Sequence, residues 1–187
     1  MFFISIINEL FRGLPAIGPL FLLVYYNYNN DIMLLYMFMG SIFILFINFI
    51  MKDIIFKYIE YIINYYNFTN LKLICGTFER PLNAKNCGIL YFNEKNFSYE
   101  RGMPSGHSLV AAYLATCLYF YIIHKYKIKK KNHINLFTIC LLFTFYTMYT
   151  RILFGCHTFQ QTIVGSIIGT IYGYYIYSLF LYIVYYI

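Results

Sequence analysis

Charge is what this chain has least of. Only 11% of its 187 residues are Asp, Glu, Lys or Arg, against roughly 25% in an average soluble domain. With 61% apolar residues and a mean hydropathy of +0.61, too little polar surface is left to face water on all sides, which excludes a soluble protein. Acidic residues number seven, and Glu79, Glu94 and Glu100 make no compact set of oxygen ligands of the kind a divalent cation needs, so no metal and no cofactor is expected. The five cysteines are odd in number and lack CxxC spacing, so they imply neither a zinc site nor a full disulfide framework; a Cys75–Cys87 bridge stays open. Tryptophan is absent. The net charge of +7 is diluted among apolar runs, which argues for membrane orientation and against a nucleic-acid partner.

What is present is hydrophobic length. A bilayer core takes about 20 apolar residues per helix. Candidate spans fall at 14–26 (with a start as early as Phe2), 32–51, 54–75, 106–126, 134–152 and 160–186. The first carries Pro15 and Pro19; the third holds Lys57, Glu60, Asn64 and Asn67, with Lys57 and Glu60 spaced to pair on one helical face. Merging part of the third span with the second gives five helices instead of six. The expected fold is therefore all-α, a single domain over 1–187 forming a multi-pass transmembrane bundle of five or six spans. The N-terminal segment lacks a charged n-region and a small-residue cleavage site, and reads as a retained span.

Two polar stretches interrupt the pattern. Lys125–His133 packs five lysines into seven residues, which by the positive-inside rule marks a cytosolic turn. Alternation then puts segment 76–105 and the turn from Arg151 to His157 together on the opposite, lumenal or external side. Sequons at Asn67 and Asn96 fall on or near that side.

The rare residues gather there too. Of four Pro, four His and four Arg, Pro81, Pro104, His157, Arg80, Arg101 and Arg151 lie in those two segments, and His107 stands two residues past the first. Arg serves where planar, bidentate recognition of a carboxylate or phosphate is needed, and an Arg at membrane depth, such as Arg151, is a functional residue by default. Pro104-Ser105-Gly106-His107 opens an apolar helix whose first-turn N–H groups and positive dipole end make an anion site. Arg151 stands at a helix end, six residues before His157. Arg80-Pro81 follows the third span, with Lys72 upstream. Cations, a helix N-terminus and two histidines on one face describe a phosphate site with a nucleophile and an acid.

These residues resemble the type 2 phosphatidic acid phosphatase superfamily of membrane lipid phosphatases, whose signature is K-x6-R-P, P-S-G-H and S-R-x5-H-x3-D. The matching segments are 72–81, 104–107 and 150–161. GMPSGHS (102–108) and YTRILFGCHTFQQ (149–161) are most similar to the dolichyl-diphosphate phosphatase branch. The resemblance implies that His157 attacks phosphorus and that His107 protonates the leaving oxygen and then activates water. It further implies that Lys72, Arg80, Arg151 and the Ser105–Gly106 backbone hold the phosphoryl oxygens. It also implies an integral membrane enzyme of the endoplasmic reticulum, active at its lumenal face on a polyisoprenyl diphosphate. Phosphatidic acid is the alternative substrate, and a non-catalytic remnant of the site is the rival from another class. Three departures stand out. The signature lysine position is Leu73, one step from Lys72, with Lys52 as a substitute. Thr150 replaces Ser, and Gln161 replaces the Asp that orients the nucleophilic histidine. Gly165, Gly169 and Gly173 form a small-residue stripe suited to close internal packing, or to a homodimer.

Overall fold

A computed structural model gives the structure of residues 2–68, 78–81, 84, 87 and 101–186. Among the described residues six α-helices follow one another: α1 (Phe2–Asn29), α2 (Ile32–Ile50), α3 (Phe56–Tyr65), α4 (Gly106–Tyr126), α5 (Lys130–Leu153) and α6 (Phe159–Tyr186), with a π-helical segment, Met51–Ile55, between α2 and α3. Among the described residues four stretches are long and apolar enough to cross a membrane: Ile32–Tyr65, Gly106–Tyr126, Lys130–Leu153 and Phe159–Val184. The all-α bundle expected from the sequence is the fold found.

The second expected span and the first half of the third form one continuous helix, Ile32–Tyr65; residues 69–75 of the third lie outside the described residues. At 34 residues that helix is about 50 Å long at 1.5 Å per residue, well beyond the ~30 Å hydrocarbon core. Its last third projects past the bundle, which explains the polar residues sequence pattern had placed inside a span. There, Ile63 packs with Phe78 and Met103. Glu60 pairs across the chain and not with Lys57: its carboxylate lies 3.7 Å from Arg101 Nη1, fastening α3 to the segment that leads into α4. The first helix begins at Phe2 and runs through both Pro15 and Pro19.

The centre of the bundle is α4. Residues 107–115 are all buried, as expected for a helix apolar around its whole circumference. Its inner residues, including Leu109, Val110, Tyr113 and Cys117, form a core with Leu34, Met37 and Ile44 of α2 and Ile176 of α6. Tyr113 donates to the Met37 carbonyl at 2.7 Å, so even its polar atom is satisfied. The glycine stripe of α6 is pressed against α4: a Cβ on Gly165 would stand 2.5 Å from the Ser105 carbonyl, one on Gly173 2.9 Å from that of Tyr113, and one on Gly169 would overlap the Leu109 carbonyl.

One end of the bundle is closed by charge. Asp31 caps α2 by accepting from the Met33 N–H at 3.1 Å, and takes Lys125 Nζ at 2.6 Å and the Tyr121 hydroxyl at 2.8 Å. That ties the α1–α2 turn to the C-terminus of α4, beside the lysine-rich turn. The other end, about 30 Å away along the 21 residues of α4, collects the start of α4, the end of α5, the start of α6 and the pieces Phe78–Pro81 and Arg101–Ser105.

Candidate active site

His157 sits in the turn between α5 and α6, 3% exposed. Its Nδ1 lies 3.0 Å from Gln161 Oε1. The Gln161 amide is oriented by two further bonds: Oε1 also accepts from the Thr158 N–H at 3.1 Å, and Nε2 donates to the Glu79 carbonyl at 2.8 Å. With Oε1 fixed as an acceptor, Nδ1 carries the proton and Nε2 keeps its lone pair free. A carboxylate in place of this amide would set an oxygen against the Glu79 carbonyl, so the departure from Asp is matched by the loop that packs on it. Gly102 is part of the same fit, since a Cβ there would stand 2.5 Å from the Gln161 amide. An isolated antiparallel bridge between Glu79 and Arg101, with the Phe78 carbonyl accepting from Gly102 at 2.8 Å, holds the two loop pieces together.

Burial, reinforced by the cations Arg80 and Lys52, holds the His157 imidazole well below its ordinary pKa; the Gln161 bond pulls weakly the other way. The imidazole is therefore neutral at physiological pH, as a nucleophile requires.

Arg151 ends α5 at 1% exposure. Its Nη2 donates to Cys156 Sγ at 3.3 Å, while Nε and Nη1 are buried without an acceptor among the described residues. Buried guanidinium N–H groups left unmatched point to an anion as their partner. Arg80 and Arg12 both act electrostatically on Arg151. The start of α4 adds donors: Ser105 precedes the helix in extended conformation and makes no side-chain cap, its own N–H going to the Gln161 carbonyl at 3.0 Å. His107, one residue inside, is 6% exposed, and its Nε2 lies 2.9 Å from the Arg12 carbonyl. A carbonyl only accepts, so Nε2 bears hydrogen and Nδ1 is the atom available for proton transfer. The two histidines are near enough to influence each other's charge.

The structure thus brings His107, His157, Arg80, Arg151, Ser105, Gly106 and Gln161 to one end of the bundle. Lys72 lies outside the described residues. Cys87 is joined to Cys156, which overturns the open Cys75–Cys87 pairing; the bridge anchors Cys87 directly beside His157 in sequence. Three residues went unnoticed or underweighted in the sequence. Arg12, buried in α1, has no motif neighbour. Asn48 of α2 lies against Gly106, where a Cβ would approach its Nδ2 to 2.9 Å. Lys52, in the π-helical segment, acts electrostatically on both histidines. π-Helical insertions gather at functional sites, and a rare charge within an apolar helix is the signal that marks Arg12 and Lys52.

The family model of the PAP2 superfamily matches residues 32–185. The chain belongs to the PAP2 superfamily. Membership, with helices long and apolar enough to cross a membrane, makes it a membrane-embedded phosphatase of the lipid phosphatase kind. No curated protein and no solved structure matches it.

Proposed function

We propose that this PAP2 protein hydrolyses a polyisoprenyl diphosphate, of the dolichyl type, to the monophosphate through a phosphohistidine on His157. The observation that carries the reading is the fixed Gln161 amide, which leaves His157 Nε2 as a lone-pair donor. Nε2 attacks the terminal phosphorus as the bond to the bridging oxygen breaks. That oxygen takes the electron pair and the Nδ1 proton of His107, which enters the step as the imidazolium with hydrogen on both ring nitrogens. In the second step water attacks the phosphohistidine and gives its proton back to His107, releasing inorganic phosphate and free His157. Arg80, Arg151 and the first-turn N–H groups of α4 stabilise the charge on the transferring oxygens, so the chain's own donors supply the roles phosphoryl transfer needs without a metal.

Three further observations support the substrate and the setting. An apolar cavity of about 680 Å³ lies between α4, α5 and α6 and is lined by Ala112, Ala115, Met148, Ile163 and Ile167 among others. It begins within a turn or two of His107, Arg151 and Gln161. Thr116 and Thr144 in its wall bond the carbonyls of Ala112 and Cys140, and Ser166 that of Thr162, so it offers a largely hydrocarbon surface to a lipid tail entering from the bilayer. The Cys87–Cys156 bridge suits an oxidising compartment, and the site lies at the end of α4 remote from the lysine-rich turn, which agrees with a lumenal face. The test presents a polyprenyl diphosphate and phosphatidic acid together in one detergent mixture. Preferential phosphate release from the diphosphate is expected; faster hydrolysis of phosphatidic acid would make this a broader lipid phosphatase.

A further inference from the structure

The groups assigned above to the phosphoryl oxygens all donate hydrogen: Arg80, Arg151 and the first-turn N–H groups of α4. Asn48 adds an acceptor beside them. It stands in the last turn of α2, a helix whose Ser41 donates to the Phe38 carbonyl at 2.6 Å. The Asn48 amide instead reaches across to α4: a Cβ on Gly106 would stand 2.9 Å from Nδ2, 3.6 Å from Cγ and 3.9 Å from Oδ1. The missing side chain at Gly106 thus lets the amide lie over the first residue of that helix, next in sequence to His107. Oδ1 is buried there with no hydrogen-bond partner among the described residues, and a buried amide oxygen without a donor costs free energy.

An acceptor offers nothing to phosphate oxygens, which are acceptors themselves; it matches a species that still carries hydrogen. The first chemical step brings none, because the bridging oxygen of a diphosphate is bare and the proton it receives is already held by His107. The second step brings water, which enters in line with the bond to His157 Nε2, on the side the leaving oxygen has vacated and His107 serves. Water has two hydrogens, and His107 Nδ1 takes one.

Resting on the phosphohistidine reading above, we propose that Asn48 Oδ1 accepts the other and so orients the water that hydrolyses the phosphohistidine. The water oxygen bonds to phosphorus while the bond to Nε2 breaks and its electron pair returns to Nε2. One proton passes to Nδ1 of His107, restoring the imidazolium. The second stays on the oxygen as the P–OH of inorganic phosphate, still facing Oδ1. Asn48 therefore acts in dephosphorylation and leaves the phosphorylation of His157 unchanged.

The experiment uses the full chain in detergent, a ³²P-labelled phosphoryl donor and rapid quenching in alkali. The rate at which label appears on His157 and the rate at which a chase of unlabelled donor removes it are measured separately. The variants are Asn48→Leu and Asn48→Ala, the second of which cannot crowd Gly106, with Asn64→Leu, exposed on α3, as control. Loss of one hydrogen bond to the water slows removal about tenfold in both Asn48 variants. Label appears in them at the wild-type rate, which also establishes that they are folded. Methanol gives a second readout, since it carries one hydrogen for His107 and a methyl group where water has the other. The ratio of methyl phosphate to inorganic phosphate therefore rises about tenfold in the variants. Slower labelling would assign Asn48 to the transferring phosphoryl group and overturn the proposal, as would an unchanged methanol ratio. A wild type that takes no label on His157 refutes the phosphohistidine reading and the role of Asn48 with it. Label that forms and clears equally fast in wild type and variants refutes the role of Asn48 alone.

Discussion

Replacing Gln161 with glutamate separates two tasks that one amide performs. The shape is kept, and one oxygen still faces His157 Nδ1 and the Thr158 N–H. The nitrogen that donates to the Glu79 carbonyl at 2.8 Å becomes an oxygen, so two acceptors face each other around a side chain with no solvent exposure. A buried acceptor stripped of its donor costs about 1–3 kcal/mol. Taking about 2 kcal/mol, a chain of this size loses roughly 4–8 °C in thermal midpoint. The new carboxylate also favours the protonated imidazole, so the acidic limb of the pH–rate profile moves upward. Thermal unfolding in detergent and kcat/KM across pH measure both effects. A Gln161→Glu variant as stable as wild type, with its acidic limb unmoved, would refute the claim that the Glu79 bond sets the orientation of Gln161 and, through it, His157.

Other outcomes follow from the same geometry. Gly169→Ala sets a methyl group against the Leu109 carbonyl of α4 and destabilises by about 1–3 kcal/mol, read as a lower thermal midpoint; an unchanged midpoint would contradict the packing described. Cys87→Ser removes a cross-link between residues 69 apart, worth about 4 kcal/mol in chain entropy, and releases Cys156 beside His157; unfolding and activity should fall together, and a reducing agent should reproduce the effect in wild type. Because the folded imidazole of His157 binds a proton only well below its ordinary pKa, the unfolded chain takes up that proton first, near pH 6.5. Stability therefore falls as pH drops below that value, by up to about 1.4 kcal/mol per pH unit from this group. His157→Gln should show a shallower loss between pH 7 and 5, and an identical slope would contradict the burial assigned to it.

Much of this arrangement was legible because rare residues mark it. Apolar runs gave the spans that became α4, α5 and α6, and Arg80, His107, Arg151 and His157 stood out in a chain poor in Arg and His. The joined α2–α3 helix was harder to read: Lys52 and Asp53 interrupt its hydropathy in the middle, while the π-helical turn that accommodates them leaves no period of its own. Arg12 and Asn48 reach the site through tertiary packing alone, on helices that look like ordinary membrane spans. The partner of Gln161 Nε2 is 82 residues away in sequence and that of Cys156 is 69 away. Neither separation leaves a local signal, and the first explains why a residue that looked like a loss of the orienting carboxylate is instead fitted to its surroundings.

The central claim is that His157 carries the phosphoryl group. The direct measurement is to mix the purified protein with a polyprenyl diphosphate labelled with ³²P in its terminal phosphate, in EDTA, quench it with alkali within milliseconds, and map the labelled peptide. The account predicts acid-labile label on the peptide containing His157 and none in His157→Ala, which should also release no phosphate. Label on another residue, or turnover retained in His157→Ala, would contradict it.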